Sequence, residues 1–205
     1  MAATSAVVLG LPPRIFAQTP GPGPIMGALS AYMSAAAARA LPAEITEHAK
    51  CHLLDTLAAM ISGSELPPGQ AAQRYIRERG AKGTTTVVAF DLTAGPLDAA
   101  LANGVMAHSD ETDDSHNESR SHPGCSVVPA ALAAGEEYGI DGSTLLRAVT
   151  LGYDVGTRVV MAMGGADFSY ASSLSTHSIA GTFGAAAAAT CAAGLDAQQM
   201  RWALD

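Results

Sequence analysis

Two stretches of the chain carry almost nothing large enough to hold helices apart. DGSTLLRAVTLGYDVGTRVVMAM, residues 141–163, has Gly152 and Gly156 four positions apart, on one face of a helix. HSIAGTFGAAAAATCAAG, residues 177–194, repeats the device with Gly181, Gly184 and a run of alanines. Such faces are grooves in which another helix can sit close, so these two helices are expected at the centre of a tightly packed all-α fold. The composition demands the same. The chain is 48% hydrophobic but only 5% aromatic, so its core must come from Ala, Leu, Val and Met.

Other helices read clearly. EITEHAKCHLLDTLAAMISG places Ile45, Ala49, Leu53, Leu57 and Ile61 at four-residue spacing and is expected to stop at Gly63. GQAAQRYIRERG is a shorter helix, and Pro96 opens another that leads to His108. A helix follows His122 and closes at Gly139, with Pro129 expected near its first turn. Asp141 or Ser143 caps one central helix, and Ser175 or Thr176 the other. TTTVVAF, residues 84–90, is the one short strand expected. Asp196 and Gln199 form a capping-box pattern for a last helix, which has no stop signal. That end predicts a chain completed by a C-terminal half or by a second chain.

The net charge of -8 argues against nucleic acid or an anionic membrane as partner, since both require basic patches. No apolar run reaches the length of a membrane span. Cys51, Cys125 and Cys191 are odd in number and widely spaced, and read as small buried residues. Residues 1–24 are expected outside the fold, as a disordered or export-signal remnant, and residues 25–205 as one helical domain. An export remnant would place the protein in the periplasm.

AHSDETDDSHNESRSHPGC, residues 107–125, concentrates five carboxylates and three of the six histidines. Charge this dense is a solvated loop or a site. His122, fixed before a proline, is one candidate for proton transfer, with the carboxylates at 110–114 orienting it. His177, beside a helix N-terminus where the imidazolium form is disfavoured and anions are attracted, is the other. His48 and His52 find no third partner in the sequence and read as structural. Asp, Glu and His in so short a span also admit a metal-dependent hydrolase, although no known ligand spacing is present. A non-catalytic helical dimerisation scaffold is the third reading.

In order, NGVMAHSDETDDSH, SHPGCSVVPAALAAGEEYGIDGSTLLRAVTLGYDVGTRV and STHSIAGTFGAAAAATCAAGLDAQQMRWAL resemble the MmgE/PrpD family from about residue 28 onward. The resemblance implies an all-helical domain of that type, with the family's smaller lid domain not in this chain. It also implies a cytoplasmic homodimer that uses neither metal nor organic cofactor. The activity implied is that of a lyase or isomerase, of dehydratase, decarboxylase or epimerase type, on a small di- or tricarboxylic acid. By motif position it implies catalytic roles for His122, His177 and Glu111, with Asp110 and Asp114 beside it. Ser115, His108 and Arg120 are implied in substrate binding. Glu111 stands where the family usually has Asp, and one extra residue precedes His122. A polycarboxylate needs cations to offset its desolvation, and near the site this stretch offers only Arg120.

Overall fold

The computed structural model describes residues 23–79 and 82–205. Among them run α1 (Pro24–Ala37), α2 (Ala43–Ser64), α3 (Pro67–Arg79), α4 (Pro96–Ala107), α5 (Gly124–Tyr138), α6 (Gly142–Ala162), α7 (Gly165–Ala171), α8 (Thr176–Ala192) and α9 (Ala197–Leu204). The class is all-α, as the glycine-bearing segments require. The TTTVVAF segment supplies β1 (Thr85–Val87), which pairs antiparallel with a second strand, β2 (Leu92–Ala94). Asn103 of α4, 1% exposed, holds this hairpin: its side chain accepts from Val88 N and donates to the Thr86 carbonyl. The expected export-signal remnant lies outside the described residues, except that Pro24 is the first residue of α1.

α6 and α8 cross at their glycines. A Cβ on Gly152 would lie 2.9 Å from the Gly184 carbonyl oxygen, and one on Gly156 would lie 2.5 Å from that of Ala180. Val127 of α5 fills the remaining corner of the crossing. Around it Met33, Met60, Met106 and Met200 are fully buried, each such side chain stabilising by roughly 1.5–3 kcal/mol over its exposed state. Alanine, valine and methionine dominate the core, and Leu151 is the one fully interior leucine among the described residues. Gaps between helices in van der Waals contact are too small for most leucines.

Three local expectations are corrected. In α2, four-residue steps advance about 400° at 3.6 residues per turn, so the stripe from Ile45 to Ile61 winds off the core. Ile45 and Ile61 are exposed, and the face turned inward is Ala49, Thr56, Met60 and Gly63. α2 runs one residue past Gly63, to Ser64, and Gly63 itself lies against the Met106 carbonyl of α4, leaving no room for a side chain. Pro129 sits inside α5, not in its first turn. Lacking an N–H, it frees the Cys125 carbonyl, which faces Gly104 of α4. Asp141, Ser175 and the Asp196–Gln199 box cap their helices as expected.

Candidate active site

Three helix ends converge. α4 ends at His108, α5 starts just after His122, and α8 carries His177 in its first turn. Their imidazole centroids form a triangle with sides of 5.0, 5.4 and 5.4 Å. The loop between α4 and α5 is braced by a His116–Ser121 bridge, in which His116 N donates to the Ser121 carbonyl at 2.8 Å. It is tied to α8 where Thr176 Oγ1 donates to the Arg120 carbonyl.

The partners of these rings fix their protons. His122 Nδ1 lies 2.8 Å from the Asp114 carbonyl oxygen, an acceptor only, so Nδ1 carries hydrogen and neutral His122 has its lone pair on Nε2. His177 Nδ1 accepts from the backbone N–H of His122, at 3.1 Å, so neutral His177 carries its hydrogen on Nε2. Burial lowers the His177 pKa, and the nearby His108 and His122 lower it further against the pull of Asp113. The result is a neutral imidazole at a helix N-terminus, as its position in the sequence suggested.

The carboxylate meeting the histidines is Asp113. Its side chain is wholly buried, both oxygens lie 3.0 Å from His108 Nδ1, and one lies 3.8 Å from His122 Nδ1. Motif reading passed over it. The alternation of buried Asp113 with exposed Thr112 is the kind of signal that finds such a residue, but a loop has no fixed period to read.

Asp114 stands one layer behind. Its carboxylate accepts from Gly124 N at 2.9 Å and from the Tyr153 hydroxyl at 2.6 Å, and lies 3.3 Å from His52 Nδ1. Burial alone would raise its pKa, but the bonds from His52, Tyr153 and Gly124 hold it below the usual range. The same contact raises the pKa of His52. His52 therefore has the partner its sequence neighbours did not offer. A side chain at Gly124 would collide with Asp114, Thr56 and Tyr153. Asp114 thus caps α5 while its backbone aims His122.

The other expected residues lie farther out. Asp110 accepts from Ser62 and Thr112, bonds that lower its pKa. Glu111 is exposed with φ of 54°, and Ser115 is exposed. Arg120, also exposed, stacks its guanidinium over Tyr170.

A cavity of about 590 Å³ opens on His108 and His177, whose neighbours in its lining include Cys125 and Ser126, with apolar walls from Leu101, Val105 and Pro129; His122 stands behind this lining. Its lining includes neither Lys nor Arg. The Cys125 thiol is pushed up to about 12 by burial and by Asp113, so it is not a nucleophile at neutral pH. Cys125 and Cys191 are buried as expected, whereas Cys51 is exposed. The described residues that could hold a metal are His108, Asp113 and Cys125.

The profile of the MmgE/PrpD N-terminal domain matches residues 27–205. The chain belongs to the MmgE/PrpD family. Among the proteins it is similar to, a cis-aconitate decarboxylase-like protein of Aspergillus oryzae is 32% identical over 62% of this chain and 28% of its own length. Cis-aconitate decarboxylase of Aspergillus terreus is 28% identical over 62% of the chain and 27% of its length. The human cis-aconitate decarboxylase is 30% identical over 78% and 34% respectively. The chain thus spans about a third of the length of these relatives, or less.

Proposed function

We propose that this chain carries the proton-transfer centre of a lyase or isomerase acting on a small di- or tricarboxylic acid without a metal. The observation behind this reading is the opposite tautomers of His122 and His177. One presents a lone pair at Nε2 and the other an N–H at Nε2, so one imidazole takes a proton while its neighbour hydrogen-bonds to developing negative charge. In a decarboxylation, the bond from carbon to the departing carboxylate breaks and carbon dioxide leaves. Its electron pair stays on the carbon next to a remaining carboxylate, and a histidine delivers the proton that carbon then takes. In a dehydration, a histidine removes the proton next to the carboxylate and, as imidazolium, hands it to the departing hydroxyl, which leaves as water.

The names of the relatives favour decarboxylation of cis-aconitate as the first reaction to test. Since the cavity lining has no Lys or Arg, the cations for a polycarboxylate come from Arg120 and from a C-terminal half, a second chain or a second copy of this chain. His108 completes the binding surface, and Asp113 holds its ring. Glu111, Asp110 and Ser115, at the loop's outer edge, meet substrate only through such a partner.

The test is deuterium incorporation at the carbon next to the carboxylate of cis-aconitate and related acids, with full-length enzyme. Incorporation lost in the His122→Ala, His177→Ala double variant supports the reading. Incorporation unchanged by that pair of substitutions overturns it.

A further inference from the structure

We propose that His108, Asp113 and Cys125 form a binding site for a zinc-class divalent cation, which blocks the histidine cluster when filled. One ligand atom from each of the three lies within 4.8 Å of the other two. At zinc bond lengths of about 2.0–2.3 Å the edges of a tetrahedron are about 3.3–3.7 Å, so side-chain adjustments of about 1 Å close the site. One contact is already near that range: His108 Nδ1 is 3.0 Å from both Asp113 oxygens. His177, whose Nε2 carries hydrogen, is not a ligand, and the fourth position is left to solvent.

A second observation points the same way. The Asp113 carboxylate is fully buried, and its ion-pair partners among the described residues are histidines, with no Lys or Arg. A dication bound directly compensates such a group better than hydrogen bonds from imidazole rings do. The donor set of one thiol, one imidazole and one carboxylate suits zinc over magnesium or calcium. On binding, the thiol proton passes to solvent and the sulfur ligates as thiolate, while the hydrogen that His108 Nδ1 shares with Asp113 is exchanged through solvent to Nε2, freeing Nδ1 to ligate. The cavity provides the path of entry.

Binding stands without the proposed function, and only the blocking effect rests on it. The probe is Co²⁺ added alone to the purified full-length protein, followed by Zn²⁺ competition. One equivalent of Co²⁺ is expected to give a near-ultraviolet thiolate-to-cobalt charge-transfer band, displaced by Zn²⁺. The band should vanish in Cys125→Ser and persist in Cys51→Ser, and Asp113→Asn should weaken zinc binding about tenfold or more. Absence of the band overturns the proposal. So does a band that follows Cys51, or zinc affinity unchanged in a folded Asp113→Asn variant. Should Cys125→Ser fail to fold, His108→Ala decides by the same loss or retention of zinc binding. A site that fills while turnover stays constant retains the binding claim and removes the blocking claim.

Discussion

The backbone N–H of His122 donates to Nδ1 of His177 across 55 positions of sequence. One residue therefore determines where its neighbour keeps its proton, and the contact holds only for a neutral His177. Replacing either ring by Gln leaves a polar group of similar reach that cannot transfer protons at neutral pH. We expect His122→Gln and His177→Gln each to lower turnover by about 10²–10⁴. Steady-state assays on cis-aconitate, beside deuterium incorporation, measure this. A loss below tenfold for both would contradict the assignment.

The Tyr153 hydroxyl donates a hydrogen bond to the partly buried Asp114 carboxylate at 2.6 Å. Tyr153→Phe removes a hydrogen bond to a charged acceptor and leaves the rest of the ring in place. The expected loss of folding free energy is about 1.5–3 kcal/mol, read as a lower urea midpoint at unchanged slope.

Acid acts through two groups with the same sign. Asp114 has a folded pKa below its unfolded one, so its contribution is present above the unfolded value and is lost as pH falls through the folded value. His177 is also lowered: below the unfolded histidine pKa the unfolded chain binds the proton first, and stability falls with it. His52, raised by Asp114, opposes this, its contribution being full below the unfolded pKa and lost as pH rises through the folded one. Urea titrations from pH 7.5 to 5 should show a shallower acid loss in His177→Asn than in wild type, and a steeper one in His52→Asn.

Gly156→Ala tests the central crossing. The new methyl would lie 2.5 Å from the Ala180 carbonyl oxygen, a backbone atom with nowhere to go. A cost of about 1–3 kcal/mol is expected, seen as a lower melting temperature. Gly142→Ala, with nothing within 4 Å of its added methyl, serves as the control.

Much of this was legible in sequence because the physics was local. Gly152 and Gly156 mark a crossing by spacing alone, and Asp141, Ser175 and Asp196 mark helix starts by their side-chain oxygens. His122 and His177 stood out through the chemistry of their immediate neighbours. Asp113 and His52 did not, because their partners are fixed by loop path and helix packing. Among four acids in five residues, burial alone separates Asp113 from Asp110, Glu111 and Asp114. The stripe on α2 misled because exact four-residue spacing drifts around a helix of 3.6 residues per turn.

The His122–His177 contact also makes the amide of His122 a gauge of native packing. Its acceptor belongs to α8, which reaches this position only after docking against α5 and α6. In hydrogen exchange that amide should be protected together with the α6–α8 crossing, not with the exposed loop that carries it. Opening of the helix pair would erase the proton arrangement of the site at the same moment, so this one amide reports both events.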